Sequence, residues 1–182
     1  MKIAVVCANG KAGSLIVREA VERGLDVTAV VRSENQSAAQ QVIQKDLFHL
    51  TASDLTGFDV VIDAFGTWTL ETLPQHSTSL NHLCNILSGQ DTRLLVVGGA
   101  NPEHTAQVMD GVDFPAEFKP LASHMGKALE DLRTRNDVKW TYISPAGDFQ
   151  PDGAKTGNYI LGGEELVRNA KGESVISYAD YA

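Results

Sequence analysis

Two glycines near the start of the chain, Gly10 and Gly13, are spaced for the binding of a phosphate group. They follow residues 2–6, an apolar run rich in β-branched residues that indicates a strand. They precede residues 14–23, which indicate a helix ending at Gly24. A strand, a glycine turn and a helix aim free amide groups at an anion, so the turn is a candidate nucleotide site. The same glycines also fit an ordinary turn between a strand and a helix.

The residues of the turn are predicted either to contact a pyrophosphate or to shape the backbone around it. Gly10 is predicted to adopt a positive φ and to let the backbone approach the ligand, and Gly13 to let the helix pack closely on the strand. Asn9 tolerates a left-handed backbone and can bond the turn. Lys11 can reach a phosphate, and Ala12 lies between these groups.

Cys7 departs from the G-x-x-G-x-x-G spacing, which would place a glycine at this position. A side chain is awkward in so tight a turn, and we expect the turn to have altered geometry. A thiol near a helix N-terminus can be reactive because its pKa is lowered. The favoured interpretation is a small buried residue, since free cysteine is among the most buried residue types.

Arg32 ends a second predicted strand, residues 26–32, about twenty residues beyond the turn, where the residue that reads the ribose belongs. An acidic residue there would bind a ribose 2′-hydroxyl, whereas Arg32, assisted by Ser33, suits a 2′-phosphate. The sequence therefore predicts NADP(H) in preference to NAD(H). A solvated arginine at a strand end is the alternative.

Other candidate cofactor contacts lie where later predicted strands end, because ligands of such folds bind outside the carboxyl ends of the strands. They are Asp46 and Leu47 beside the adenine, Ala64, Phe65 and Gly66 over the ribose and pyrophosphate, and Gly98, Gly99 and Pro145 near the nicotinamide. Each of them is also an ordinary residue for a strand end.

Strand-like and helix-like segments alternate along the chain. Strands are predicted at residues 2–6, 26–32, 42–46, 58–64, 93–97 and 138–143. Helices are predicted at residues 14–23, 34–41, 73–88 and 117–136, with a loop over 101–115. The alternation predicts a doubly wound α/β Rossmann fold whose mainly parallel sheet has the order 3-2-1-4-5-6.

The pattern changes within residues 151–182, which we interpret as a small substrate-side lobe of one domain spanning residues 1–182. Short strands are predicted at 157–170 and 173–176, around a turn at residues 171–172. Residues 177–180 have the spacing of a helix cap. A helix start so near the last residue predicts that a further C-terminal segment follows in the intact protein.

Composition limits the classes of function. The 182 residues carry a net charge of -8, from 15 Lys+Arg against 23 Asp+Glu, which argues against nucleic-acid and anionic-membrane surfaces. Two distant cysteines, Cys7 and Cys84, favour a reduced, cytoplasmic setting over a disulfide scaffold or a zinc site. No apolar run approaches the roughly 18 residues of a membrane span, and no residues have metal-ligand spacing. A monomer and a homodimer both remain open.

Several segments resemble the atypical short-chain dehydrogenase/reductase group. The resemblance is to small NAD(P)H-binding proteins often described as NADH-flavin reductases, a group that is NmrA-like and similar to biliverdin reductase B. It is carried by residues 2–13, 30–32, 94–100, 113–119, 140–146, 156–159 and 176–182. The resemblance implies an NAD(P)-binding Rossmann fold and a final segment that continues into a helix. Position 7 is usually glycine in the family.

The Tyr-x-x-x-Lys pair that short-chain dehydrogenases use for proton transfer is absent, and the nearest match has Ser123 in the place of Tyr. His124 and Lys127 share a helix face and are the remaining catalytic candidates, with Lys127 also a candidate cofactor contact. An exposed helix face is the favoured interpretation of both, because charged helix faces are usually solvated. Phe65, Trp68 and Tyr159 could line an aromatic acceptor pocket or could simply pack.

Reduction of a flavin, a quinone or another planar acceptor is compatible with the missing tyrosine, since the cofactor supplies the hydride and the protein positions the rings. The sequence therefore predicts an NADPH-dependent reductase with a small planar acceptor, flavin being a candidate substrate. A non-catalytic protein that senses NADP(H) is the alternative, and an epimerase is disfavoured by the same absent tyrosine.

Overall fold

The computed structural model describes residues 1–99 and 116–182, and a six-stranded parallel sheet forms its centre. The strands are β1 (Lys2–Val6), β2 (Asp26–Val31), β3 (Gln41–Gln44), β4 (Val60–Asp63), β5 (Arg93–Val97) and β6 (Lys139–Ile143). They lie in the order β3-β2-β1-β4-β5-β6, and every neighbouring pair is parallel. The predicted doubly wound α/β fold and its strand order are confirmed.

Helices cover both faces of the sheet. They are α1 (Lys11–Glu22), α2 (Gln75–Leu87) and α3 (Lys119–Arg133). Successive side chains of a strand point to opposite faces, so one strand contributes to two separate buried clusters. Val5 belongs to the cluster that contains Val17 of α1, whereas Val6 belongs to the cluster that contains Leu83 of α2. β1 is thus enclosed on both sides and anchors the turn that follows it.

The helix predicted over residues 34–41 is wrong, because this segment forms bends and leads into β3. Asn35 explains the difference. Its side chain accepts the backbone N–H of Ser37 at 3.0 Å and donates to the carbonyl of Ala39 at 3.0 Å. Short polar side chains that bond the local backbone in this way compete with helix formation.

Other predicted elements are present with shifted ends. α1 begins three residues earlier than predicted, at Lys11, and a short 3-10 helix, Ala116–Phe118, precedes α3. Another short 3-10 helix lies at Ala52–Leu55. The predicted loop over residues 101–115 lies outside the described residues. None of the described helices is long and apolar enough to cross a membrane.

The C-terminal region pairs differently from the prediction. β7 (Asp148–Gln150) pairs in parallel with β8 (Val175–Ser177), which overlaps the strand predicted at 173–176. No strand lies in residues 157–170, so the strand predicted there is wrong. The carboxylate of Asp180 instead accepts the backbone N–H groups of Thr156 and Gly157, each at 2.7 Å, which holds the start of that segment in a turn.

The cap predicted at residues 177–180 is confirmed. Ser177 Oγ accepts the backbone N–H of Asp180 at 2.9 Å, at the start of the short helix α4 (Tyr178–Tyr181). The turn predicted at residues 171–172 is also present, with Gly172 at φ 81° and its N–H donating to the carbonyl of Asn169.

Candidate functional site

The turn after β1 has the shape of a phosphate-binding turn, but its positive φ falls on a different residue from the one predicted. Gly10 has φ −70° and ψ 163°, which correct the prediction of a positive φ there. Cys7 has φ 60° instead, and the N–H of Gly10 donates to the carbonyl of Cys7 at 2.9 Å. A left-handed backbone at a non-glycine residue costs roughly 1–2 kcal/mol. The tight turn therefore forms without the first glycine, at some cost in stability.

Gly13 has the predicted role of allowing a close approach between α1 and the turn. A Cβ built on Gly13 would lie 2.5 Å from the carbonyl oxygen of Cys7 and 3.0 Å from the Cα of Ala8. Both neighbours are backbone atoms, which cannot move aside as the end of a side chain can. Only glycine fits at this position without displacing α1.

The N-terminus of α1 fits the phosphates of a dinucleotide. The first amide groups of a helix have no partner inside the helix, and Gly10, which caps α1, supplies no side-chain hydrogen bond. The N–H groups of Lys11, Ala12 and Gly13 are thus oriented for an anion at the positive end of the helix dipole. The Lys11 ammonium lies 3.7 Å from the carboxylate of Asp152 and is exposed, so it can turn toward a ligand.

Asn9 links this turn to the loop after β2. Its Nδ2 donates to the carbonyl of Glu34 at 2.8 Å, and its Oδ1 accepts the N–H of Gln36 at 2.8 Å. Nδ2 also lies 3.5 Å from Ser33 Oγ. The predicted role of Asn9 in bonding its own turn is thus replaced by a bridge that fixes the loop containing Arg32. Arg32 and Ser33 are exposed at the end of β2, beside the turn.

The residues after β3, Asp46 and Leu47, stabilise the local fold at the carboxyl edge of the sheet. The Asp46 carboxylate accepts the N–H of Phe48 at 2.9 Å and caps the 3-10 helix Leu47–His49. Leu47 is buried in the core, so its backbone is the part that could border an adenine. Both residues lie at the carboxyl edge of the sheet, as predicted.

The residues after β4 and β5 also reach that edge. Ala64 donates its N–H to the carbonyl of Val6 at 3.2 Å, and Gly66 is exposed. The N–H of Gly98 donates to the carbonyl of Ile143 at 2.9 Å, and a Cβ on Gly98 would lie 2.3 Å from the Tyr142 ring. Packing against β6 therefore requires glycine at position 98. Pro145 lies two residues beyond the end of β6.

The remaining catalytic candidates are not drawn into one site. Lys127 is exposed and pairs with Asp131 of its own helix at 3.2 Å, which matches the alternative of a solvated helix face. His124 is half-buried on the same helix. Trp68 and Tyr159 are 67% and 61% exposed, so an enclosed aromatic pocket does not form from them among the described residues.

Asp63, at the end of β4, is a buried acid that the sequence analysis did not single out. Its side chain is 4% exposed and accepts the N–H of Phe65 at 3.0 Å. Burial raises the pKa of this carboxyl group to about 6, against a smaller lowering by that hydrogen bond. The signal for this residue in the sequence is a charged side chain at the end of an apolar strand.

Two further polar groups, His76 and Tyr142, line a small cavity with Asp63. The cavity measures about 20 Å³, which is room for about one water molecule. His76 Nε2 lies 3.1 Å from the carbonyl of Thr67; because a carbonyl only accepts, this nitrogen carries the proton. Burial lowers the pKa of His76, so the ring is neutral at pH 7. The Tyr142 hydroxyl accepts the N–H of Gly99 at 3.0 Å.

The Cys7 thiol is expected to be unreactive in the folded protein. Burial raises its pKa to about 12, with the Asp63 charge as a further cause, so only about one thiol in ten thousand is ionised at pH 8. Iodoacetamide at pH 8 should label Cys7 and buried Cys84 slowly in the native protein and both at once in guanidinium. Rapid labelling of Cys7 in the native protein would restore the reactive interpretation.

The Asp63 carboxyl should make stability depend on pH. Its pKa of about 6 in the folded protein exceeds the unfolded value of about 3.9, so the folded chain binds more protons between these values. The contribution of this group to the free energy of unfolding is fully present below about pH 4, and it is lost as the pH rises through 6. Asp63→Asn should therefore gain up to about 3 kcal/mol over wild type between pH 4 and 7 in urea unfolding. A difference that stays constant with pH would contradict this assignment.

The strand order, the glycine turn and the free amides of α1 define a dinucleotide-binding protein of the Rossmann class. The chain belongs to the NAD(P)H-binding family, whose model matches residues 7–182. It is 44% identical over 190 residues to the uncharacterized protein YwnB of Bacillus subtilis (strain 168), covering 100% of this chain and 89% of the relative.

Solved structures of similar proteins support the same family. A Streptococcus pneumoniae TIGR4 protein described as a candidate NADH-flavin reductase is 57% identical, with a TM-score of 0.94 over 100% of this chain and 89% of that chain. A Bacteroides thetaiotaomicron protein described as a candidate epimerase is 31% identical, with a TM-score of 0.82 over 99% of this chain and 86% of that chain. The family resemblance read from the sequence is confirmed.

Proposed function

We propose that the protein is an NADPH-dependent reductase of a flavin, a quinone or another small planar acceptor. The observation that carries the proposal is the turn after β1, where the close approach at Gly13 and the uncapped amides of α1 provide a pyrophosphate site. The name of the Streptococcus pneumoniae relative supports flavin as the acceptor.

The chain's own residues would bind and orient the cofactor. The amides of residues 11–13 would hold the pyrophosphate, and Arg32, with Ser33, would pair with the 2′-phosphate from a loop that Asn9 fixes. Backbone at Gly66 and Gly98 would border the ring that reacts. When bound, the reduced nicotinamide would supply a hydride, and the protein would place the acceptor against it.

The cofactor proposal differs from the NADH in that relative's name, and titration of intrinsic fluorescence tests it. Trp68 is 67% exposed, whereas Trp140 is half-buried and donates its Nε1 proton to the carbonyl of Arg135 at 3.2 Å. NADPH should quench this emission at lower concentration than NADH. Equal affinities would contradict the preference for NADPH.

Steady-state oxidation of NADPH tests the reductase itself. FMN, FAD and quinones are offered in turn, and at least one should be reduced with consumption of one NADPH per acceptor. Tight binding of NADP(H) without turnover of any acceptor would overturn the enzyme proposal in favour of a protein that senses the cofactor. The proposal places this protein in the cytoplasm, as a monomer or a homodimer, with one domain over residues 1–182.

A further inference from the structure

The buried carboxyl group of Asp63 is not among the proposed cofactor contacts. Among the described residues its hydrogen-bond partner is the N–H of Phe65, which leaves most of its hydrogen-bonding capacity toward the cavity that it lines. An acid with a side chain 4% exposed carries a desolvation cost, so its presence calls for a function. The function has to lie at the carboxyl edge of the sheet, where β4 ends.

Strand register places Asp63 and Tyr142 on the same face of the sheet. Asp63 of β4 is the register partner of Val96 of β5, which is the partner of Tyr142 of β6. The two polar residues thus lie two strands apart, about 10 Å between their Cα atoms, with the apolar Val96 between them. The cavity of about 20 Å³ lies over this row and has room for about one water molecule.

The Tyr142 hydroxyl is arranged to pass a proton on. It accepts the N–H of Gly99 at 3.0 Å and so keeps its own proton available to donate. Gly99 follows β5 at the edge where the acceptor is proposed to lie. Tyr142 thus lines the buried cavity and contacts, through its hydroxyl, the residue beside the proposed reaction site.

We propose that Asp63 supplies, through the cavity water and the Tyr142 hydroxyl, the proton that reduction of the acceptor consumes. This inference rests on the proposed reductase function. An acceptor that has received a hydride carries one extra negative charge. The Tyr142 O–H bond breaks as the new bond to hydrogen forms on the acceptor. The Tyr142 O–H bond re-forms with a proton from the cavity water, and the O–H bond that the water loses re-forms as the Asp63 O–H bond breaks. Solvent then returns a proton to Asp63, so that one proton and one hydride are consumed per acceptor.

Among the titratable groups near the cavity, Asp63 is the one that can gain or lose a proton near neutral pH. Burial raises the pKa of Cys7 after β1, Cys84 of α2 and Tyr142 of β6 to about 12, 11 and 12, and the charge of Asp63 is a further cause of each rise. All three stay protonated at pH 7. His76 of α2 is neutral there, with His124 of α3 a minor cause of its lowered pKa. Asp63, with its pKa of about 6, is the group of this set that exchanges a proton near pH 6 to 7.

The first test observes the proton on Asp63 directly and needs no turnover. Infrared difference spectra of the wild-type protein between pH 4 and 8 should show a carbonyl stretch of a protonated carboxyl group that is lost near pH 6. The band should be missing from Asp63→Asn and kept in Glu22→Gln, a control at an exposed carboxylate at the end of α1. Circular dichroism establishes that each variant is folded.

The second test measures kcat against pH for NADPH oxidation by a quinone. Asp63→Asn and Tyr142→Phe should each lower kcat by about 100-fold or more, with KM for NADPH unchanged, and Asp63→Asn should abolish the fall in kcat above pH 6.

A missing infrared band, or wild-type kcat and pH profile in Asp63→Asn, would overturn the inference. If the band titrates but wild type reduces no acceptor, the proposed function has failed, and the proton supply fails with it. If wild type reduces acceptors without the band, only the role of Asp63 has failed.

Discussion

Arg32→Glu is expected to weaken NADPH binding by about 1.5–3 kcal/mol, roughly a 10- to 150-fold rise in Kd, while leaving NADH binding nearly unchanged. The reason is the loss of a charge-assisted contact with a 2′-phosphate that NADH does not carry. Arg32 is exposed beside the turn and is free to reach that group. Calorimetric titration with both cofactors measures the effect.

Arg18→Glu is the matched control for this change of charge. Arg18 is exposed on α1, and reversing it alters net charge by the same amount at a residue that is not a candidate contact. Its affinities for both cofactors should stay close to wild type. An equal loss in the two variants would mean that Arg32 acts only through the overall charge, and the NADPH preference would have to be abandoned.

Gly13→Ala is expected to destabilise the fold and to impair cofactor binding together. The added Cβ would lie 2.5 Å from the carbonyl oxygen of Cys7, so α1 or the turn must shift. Overpacking of this kind costs about 1–3 kcal/mol, and at about 2–4 °C per kcal/mol the Tm should fall by roughly 2–12 °C. The same shift moves the amides of residues 11–13 away from the pyrophosphate position, and fluorescence titration should show weakened NADPH binding.

Gly163→Ala separates this steric effect from the general effect of replacing a glycine. A Cβ on Gly163 meets nothing within 4 Å, and its Tm and NADPH affinity should stay close to wild type. Equal Tm values for Gly13→Ala and wild type would show that the turn tolerates a side chain at position 13, and the close approach would then have no role in the site.

The sheet and the glycine turn after β1 could be predicted from the sequence because both depend on local patterns. Apolar runs such as residues 93–97 set the strands, and short connections with helices force a parallel order. Gly13 was recognisable because a phosphate-binding turn imposes its spacing within a few residues. These features do not require knowledge of which distant residues meet.

The parts that could not be predicted depend on contacts between distant residues or on local competition for the backbone. Asp63 and Tyr142 are 79 positions apart, and only the register through Val96 places them on one face. The segment 157–170 is held at its start by Asp180, from the other side of β8. Cys7 shows the opposite case, because the turn imposed its φ of 60° on a residue that does not favour it.

The place of β1 in the sheet has a consequence for how the chain folds during synthesis. β1 is made first but lies between β2 and β4, so one of its edges stays unpaired until Val60 to Asp63 have been made. At about 5–20 residues per second, this gap lasts roughly two seconds or more after β2 is complete. An unpaired edge strand can pair with another chain. A pause in synthesis before residue 63 would therefore lengthen the time during which this edge of β1 is open to pairing with another chain.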